Sequence, residues 1–281
     1  MLKRCLFLVF LSFLLGCPMS SEDIGSGGLS VSGKIRLNTI GFLPDAEKKA
    51  SFAGSCTSFF IINGTNTNDV VYTGNNISTV YNNDTKENLT ILDFSDFTTA
   101  GEYSIYIEGA GLSPLFKIGV DVYNEPFKVC MMGMYLWRCG TNVSYTYKGV
   151  TYSHAVCHKN DGNLYYINNS QTTKDGTGGW HDAGDYVKYT FNNAVATTFL
   201  AKSYLENPGA FDDQNNIPES GDGIPDIVNE LAYNTVYLLK MQNTNSTSTT
   251  FGGVHSKVST TTWNVHSLPH AESQTRYLTP I

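Results

Sequence analysis

The sequence predicts a two-part protein, a β-sandwich followed by a helical domain, because its texture changes once along the chain. Residues 34–118 contain short runs of β-branched and aromatic residues, which turn residues such as Asn63-Gly64 separate. After Tyr123, apolar residues recur at helical spacing instead. With 281 residues, of which 41% are hydrophobic, the chain is long enough to bury a core in each part.

The N-terminal segment is predicted to lie outside the fold. A basic pair at residues 3–4 precedes an apolar run over residues 5–15, which is typical of a secretory signal and too short to span a bilayer. The run leads into the sequence LLGC, which resembles a bacterial lipobox and would place a lipid on Cys17; an ordinary cleaved signal is the alternative. We therefore predict a signal in residues 1–17 and a flexible linker in residues 18–33. The protein would be exported, and either lipid-anchored at a bacterial cell envelope or secreted.

The overall charge excludes one class of partner. A net charge of −7 argues against nucleic acid, which requires a basic surface to displace the counterions of its phosphates. The same charge does not oppose a neutral polysaccharide. Aromatic residues make up 12% of the chain and favour a protein that stacks against flat ligands.

The first folded part is predicted to be a sandwich of about 85 residues, because its strands are short and evenly spaced. The runs that predict strands are SFFII, DVVYTG, NLTILDF and EYSIYIEG. This part lacks the cysteine and tryptophan pattern of antibody domains.

Three helices are predicted in the second part, the first around Met131 and the second around Ala201. The third opens at Pro225, because proline suits the first helical position and acids suit the first turn. Its predicted buried stripe consists of Ile227, Val228, Leu231, Leu238 and Leu239. Residues 140–178 are predicted to form one long loop between helices.

The motif GGWHDAGD at residues 178–185, placed after a sandwich, resembles glycoside hydrolase family 9, the cellulase family with an immunoglobulin-like N-terminal domain. The resemblance covers nearly all of residues 34–281, through segments in family order that include IRLNTIGFLPDAEKKA, DFSDFTTAGEYSIYI, YLWRCG, IPESGDGIPDIVNE and TRYLTPI. It implies an immunoglobulin-like sandwich over residues 34–118 and the N-terminal part of an (α/α)6 barrel over residues 119–281. The implied activity is that of an endo-1,4-β-glucanase acting on β-glucan.

Asp182 and Asp185 are the candidate catalytic residues. In inverting glycosidases one carboxylate takes a proton from the attacking water, while a separate acid on the other side protonates the leaving oxygen. Asp182 and Asp185 are too close in sequence to be that opposed pair, so we interpret them as two holders of one water. The resemblance implies that Asp185 is the base and that Asp182 positions the water. The alternative, which can also hold together with catalysis, is that both acids cap a helix beginning near Tyr186.

The general acid of the family is a glutamate near the end of the catalytic domain, and no residue here matches its motif. We therefore expect this chain to be a truncated form that hydrolyses no cellulose by itself. The alternative is a non-catalytic cell-surface lipoprotein that only binds glucan.

His181, directly before the first acid, predicts a zinc site. Family members with a histidine at this position tend to bind zinc, and Cys139, Cys157 and His158 match that subgroup. Two thiolates and two imidazoles make a closed, tetrahedral structural site. Such a metal would pin the loop and orient Asp182. The alternatives are a Cys139–Cys157 disulfide, which export would permit, and an ordinary surface histidine.

An acidic segment, DDQNNIPESGDGIPD, offers a second candidate metal site. Its Glu219, Asp222 and Asp226 surround two glycines, and a hard cation such as Ca²⁺ requires several oxygen ligands on a tightly turned loop. Related family members bind calcium in this region. A solvated acidic loop that precedes the third helix is the equally open alternative.

Aromatic residues near these motifs are candidates for contact with sugar rings. Trp180 and Tyr186 flank the acidic pair, and Trp263 and Tyr277 lie further along the chain. Each is also a candidate core residue, because large aromatic side chains usually bury their surface.

Overall fold

The computed structural model describes residues 30–167, 169–260, 262 and 267–281. The predicted signal segment with Cys17, most of the predicted linker and Trp263 lie outside these residues. Two compact units are present, one ending at Glu125 and the other spanning Pro126–Ile281. Within the described part, no helix is both long and apolar enough to cross a membrane.

The first unit is built from short strands in two antiparallel sheets. The strands are β1 (Ile35–Arg36), β2 (Lys49–Phe52), β3 (Phe59–Asn63), β4 (Asn66–Gly74), β5 (Ile77–Asn82), β6 (Glu87–Asp93), β7 (Gly101–Ile107), β8 (Gly111–Leu112) and β9 (Phe116–Ile118). One sheet has the order β1-β2-β6-β5, and the other has the order β4-β3-β7-β8, with β9 also paired to β7.

The core of this unit lies between the two sheets. Phe52 and Leu92 of one sheet share an apolar cluster with Phe59, Ile61 and Ile105 of the other. Alternate residues along a strand point to opposite faces, so the remaining buried residues of β3 join a smaller cluster on the other side of their sheet. The predicted β-sandwich is confirmed.

The second unit combines helices with a mixed sheet. Its elements are α1 (Asn124–Leu136), β10 (Val143–Tyr147), β11 (Val150–His154), β12 (Leu164–Tyr166), β13 (Asn169–Lys174), β14 (Lys188–Tyr189), α2 (Thr190–Glu206), α3 (Asp226–Lys240), β15 (Lys257–Thr260) and β16 (Arg276–Leu278). The three predicted helices are present. The prediction of one long loop over residues 140–178 was wrong, because this stretch forms the hairpin β10–β11 and two strands of a sheet ordered β13-β12-β16-β15-β14.

The described residues of the second unit do not by themselves show a barrel. They contain three α-helices, and α2 packs against α3. The partial (α/α)6 barrel therefore remains a prediction.

The predicted apolar stripe of α3 is matched only in part, because three of its five members are half-buried. Ile227 is buried, but Leu239 is 66% exposed. The buried face instead carries Asp226, Glu230 and Asn234, which recur every four residues. Pro225 precedes the helix rather than occupying its first position. Propensity and period located the helix, and polar partners elsewhere in the unit selected which face is buried.

Candidate active site and metal centre

The loop that carries the two candidate catalytic acids is short and held at both ends. The backbone N–H of Asp182 donates to the carbonyl of Val187 at 2.8 Å, and the N–H of Tyr186 donates to Ala183 at 3.0 Å. Tyr186 has a φ of 56°, a left-handed conformation that is uncommon outside glycine. The turn brings Asp182 and Asp185 onto one half-buried loop.

Each acid has a specific hydrogen-bond donor. Asn192 Nδ2, in the first turn of α2, donates to Asp182 Oδ1 at 2.6 Å. The N–H of Val187 donates to Asp185 Oδ1 at 3.3 Å. The capping alternative was wrong, because α2 begins at Thr190 and its capping residue makes no side-chain cap. A small cavity of about 60 Å³, lined in part by Asp182 and Asn192, opens beside the loop.

The four predicted metal ligands meet at one point. Cys139 follows α1, Cys157 and His158 follow β11, and His181 belongs to the acid loop, yet their ligand atoms all lie within 4.8 Å of one another. His158 Nδ1 lies 3.4 Å from the sulfur of Cys139 and 3.2 Å from His181 Nε2. His181 Nε2 is 3.7 Å from the sulfur of Cys157. Both thiols are free, so the structure contains no disulfide in this cluster.

The spacing of these atoms fits a tetrahedral zinc ion. With metal–sulfur bonds of about 2.3 Å and metal–nitrogen bonds of about 2.0–2.1 Å, the ligand atoms of a tetrahedron lie about 3.3–3.8 Å apart. Of the separations given above, 3.4 and 3.7 Å fall within that range and 3.2 Å lies just below it. Two sulfur and two nitrogen donors in a buried setting are the combination that suits zinc.

The charge states of the cluster also suit a metal. A hydrogen bond with Cys139, the backbone N–H of Gly140 and the nearby cations Lys188 and Arg276 outweigh burial and lower the pKa of Cys157 to about 7. Burial lowers the pKa of His181, which keeps its imidazole neutral. A thiolate and a neutral imidazole are the ligating forms of these residues.

A buried ionic network that the sequence analysis missed adjoins the cluster. Asp161 is fully buried and pairs with Lys188 Nζ at 2.9 Å and with Arg276 Nε at 3.0 Å. Lys188 also donates to the carbonyl oxygens of Gly176 and Gly178, at 2.6 and 2.9 Å. These bonds tie the strand that follows the acid loop to the segment that precedes it. No spacing rule connects residues so far apart, and the burial of Lys188 is visible only in the structure.

A second ionic network lies under the first residues of the motif. Arg138 donates to Glu230 and, with both terminal nitrogens, to Glu219. Trp180 is 3% exposed, and its indole N–H donates to Glu230 at 3.1 Å. Burial raises the pKa of Glu230, and Arg138 opposes that rise. Trp180 is therefore almost fully buried in this structure, and its predicted contact with sugar stays a prediction.

Tyr186 covers the metal cluster. Its ring centroid lies 5.9 Å from that of His158 and 5.1 Å from that of His181, and its hydroxyl donates to the carbonyl of Ser267. The ring is tilted by 53° and 58° to the two imidazoles that it packs against. The predicted sugar platform at Tyr186 is not supported by this placement.

The predicted calcium ligands do not converge. Glu219 binds Arg138, and Asp222 accepts the N–H of Ile224 at 2.7 Å. Asp226 is buried and accepts hydrogen bonds from Asn215 and Ser220. In the part of the chain that the structure describes, the cysteine and histidine cluster alone brings three or more such ligand atoms together. Each of the three carboxylates holds a protein partner in this structure, and the calcium site stays a prediction.

Comparison with known families gives two matches. Residues 123–281 match the model of glycosyl hydrolase family 9, and residues 30–111 match that of the cellulase N-terminal Ig-like domain. The second match confirms that the sandwich is immunoglobulin-like. The first covers more than half of the chain.

Curated relatives show the same likeness. Endoglucanase D of Acetivibrio thermocellus is 42% identical over 277 residues, covering 97% of this chain and 42% of that protein. The xyloglucan-specific endo-beta-1,4-glucanase BoGH9A of Bacteroides ovatus is 28% identical over 279 residues, covering 97% of this chain and 45% of that protein. The chain therefore spans less than half the length of these relatives.

Two solved structures are similar to this chain. A metagenome-derived glycoside hydrolase family 9 endoglucanase superimposes with a TM-score of 0.73 at 30% identity, over 87% of this chain and 46% of that one. A Zn-binding triple mutant of the family 9 endoglucanase J30 superimposes with a TM-score of 0.71 at 30% identity, over 84% of this chain and 44% of that one.

Proposed function

The chain belongs to glycosyl hydrolase family 9, and on that premise we propose that it takes part in the hydrolysis of β-1,4-glucosidic bonds in cellulose or a related β-glucan, with inversion at the anomeric carbon. The observation that carries this proposal is the acid loop. Asp182 and Asp185 share one half-buried turn, and Asp182 is oriented by Asn192. Endoglucanase D and the other endoglucanases similar to this chain support the substrate class.

In the proposed mechanism Asp185 accepts a proton from the water that attacks the anomeric carbon. Asp182 holds the same water through its second oxygen, while its first oxygen accepts the hydrogen bond of Asn192. Inversion also requires a general acid about 6.5–9.5 Å away on the other side of the bond. We assign no residue of this chain to that step.

Zinc is the second part of the proposal. Cys139, Cys157, His158 and His181 would hold the ion, whose contribution is structural because the protein fills all four positions. His181 is the neighbour of Asp182, so a fixed imidazole restricts the start of the acid loop. The Zn-binding endoglucanase J30 variant supports this choice of metal.

The proposed location follows from the N-terminal segment. A signal that ends in a lipid-modified Cys17 would export the protein and anchor it at the cell surface, where insoluble glucan is found.

The decisive test replaces the base. Because the chain spans 42% of the length of Endoglucanase D, the assay uses both the 281-residue chain and a fusion of this chain to the remaining residues of that relative. Asp185→Asn should lower turnover of carboxymethyl-cellulose by the fusion about 10²–10⁴-fold, since an amide cannot accept the proton of water. Asp84→Asn, the same change on an exposed turn of the first unit, is the matched control.

The outcomes separate the parts of the proposal. Turnover by the 281-residue chain that Asp185→Asn abolishes would reveal a general acid within it. Near-normal hydrolysis by Asp185→Asn, with loss in Asp182→Asn, would reverse the two roles. A folded fusion that cleaves neither carboxymethyl-cellulose, mixed-linkage glucan nor xyloglucan would contradict the proposed function.

A further inference from the structure

The two ring nitrogens of His158 face opposite ways. Nδ1 points into the metal cluster, 3.4 Å from the sulfur of Cys139. Nε2 points away from the cluster and lies 3.4 Å from Oε2 of Glu272. The two side chains are 1% and 2% exposed, so bulk water is excluded from this contact. In the described structure neither of these two atoms has another hydrogen-bond partner.

A metal at Nδ1 determines what Nε2 must do. A neutral imidazole carries one proton, and the nitrogen that binds a metal uses its lone pair, so the proton resides on the other nitrogen. Nε2 of His158 is then a buried donor and needs an acceptor. Oε1 of Glu272 already accepts the N–H of Gln274 at 2.6 Å, and its buried Oε2 likewise needs a donor. At 3.4 Å the contact is long for a hydrogen bond.

We propose that Glu272 is a positioning residue for the metal: it accepts the Nε2–H of His158, fixes the orientation of that ring, and couples the metal to the segment 267–278. This inference rests on the proposed zinc site. Such outer carboxylates orient a histidine ligand and raise its basicity, and their loss lowers metal affinity.

The segment containing Glu272 has two further attachments near the cluster. Arg276 pairs with the buried Asp161, and the carbonyl of Ser267 accepts the hydroxyl of Tyr186, which covers the imidazoles. The contact between Glu272 and His158 is the one that includes a metal ligand itself. Binding of the ion should therefore order this segment, whereas the other two contacts do not require metal.

The test measures zinc affinity by competition with a chromophoric chelator, and needs no hydrolysis. Glu272→Ala should weaken zinc binding about 10–100-fold, because the ring of His158 loses its acceptor. Glu272→Gln should lose less, since the amide oxygen still accepts the proton. Glu206→Gln, the same change on the exposed surface of α2, should bind zinc like the unmodified chain.

A second measurement distinguishes positioning from general destabilisation. In the unmodified chain, zinc should slow amide hydrogen exchange in residues 267–278, and in Glu272→Gln this protection should be reduced while exchange in α2 is unchanged. Cobalt substitution gives an independent signature, because the visible bands of the bound ion report a change in ligand geometry.

Each result bears on one part of the inference. If the unmodified chain binds no zinc, both the zinc site and the role of Glu272 are overturned. If it binds zinc and the Gln and Ala variants match it within twofold, the role of Glu272 alone is overturned. If Glu272→Ala fails to fold, the isosteric Gln variant decides, and an unchanged zinc affinity and exchange pattern there would again overturn the role.

Discussion

The two units of this protein have cores of different chemistry. Between the sheets of the first unit, the buried side chains are almost all apolar, and Lys48 is the buried ion among the described residues there. The second unit buries many charged and polar groups beside its apolar residues. They are Arg138, His154, Asp161, His181, Lys188, Thr190, Asn193, Asn215, Asp226, Glu230, Asn234, His255 and Arg276.

The two kinds of core respond differently to substitution. An apolar core is stabilised by the area that it removes from water, and one such residue can replace another of similar volume. A buried ion is stabilised only by its particular partners. Replacing one member of such a pair therefore leaves the other as a buried charge without a partner, which lowers the free energy of unfolding. In the second unit, such buried ions lie next to the acid loop and the metal ligands. The sandwich contains no comparable cluster among its described residues.

The largest effect is expected from breaking the ionic core. Burial opposes ionisation, but Lys188 and Arg276 outweigh it and hold the pKa of Asp161 below its usual value. Asp161→Asn leaves two buried cations without a charge partner and should lower the free energy of unfolding by about 3–5 kcal/mol. Urea unfolding followed by tryptophan fluorescence measures this, because Trp137 and Trp180 lie in the second unit.

Two comparisons sharpen that result. Glu206→Gln removes one partner of the exposed Lys202–Glu206 pair and should leave the transition unchanged, since exposed pairs contribute little. The stability that Asp161 contributes should be present above its ordinary pKa and be lost as the pH falls through its lower folded value. A small effect of Asp161→Asn at neutral pH would show that the network is not a determinant of stability.

An intermediate effect is expected from pH on zinc binding. Cys157 must be a thiolate to bind, and its pKa is lowered to about 7, chiefly by the hydrogen bond with Cys139. Above that pH this group no longer limits affinity, and below it the zinc affinity should fall about tenfold per pH unit. His181 adds nothing near neutrality, because burial lowers its pKa and keeps it neutral.

Chelator competition between pH 5.5 and 8.5 tests this dependence. A flat affinity across the range would show that the thiol of Cys157 does not ligate the metal. In the metal-free protein the sign is the same: the thiolate contributes stability above the unfolded pKa, and this is lost as the pH falls through about 7.

The smallest effect is expected in the sandwich. Ile105 is fully buried between the sheets, and Ile105→Val removes one methylene from an apolar cluster. The variant should lose about 0.5–1.5 kcal/mol of stability. Hydrogen exchange of the β3 and β7 amides measures this loss, and zinc affinity serves as the control, which should not change. A loss as large as that of Asp161→Asn would remove the contrast between the two cores.

Local pattern was sufficient for the sandwich and for the positions of the helices. Alternation of apolar residues along a strand, and their recurrence every three to four residues in a helix, depend only on near neighbours in the chain. The motif GGWHDAGD likewise marked the acid loop by itself. The metal ligands required the family resemblance, because Cys139, Cys157 and His181 are far apart and follow no spacing rule.

The buried polar residues depended on contacts between residues that are far apart in the sequence. The buried face of α3 is polar because Glu230 meets Arg138 and Trp180, residues 92 and 50 positions away in sequence. Asp161 is buried because Arg276 lies 115 positions further along the chain. A buried charge is stable only when an oppositely charged or hydrogen-bonding partner lies beside it, and only the tertiary fold places that partner there. For the same physical reason, the sequence did not show where two aromatic residues lie. Trp180 is buried beside Glu230, and Tyr186 packs against the imidazoles of His158 and His181.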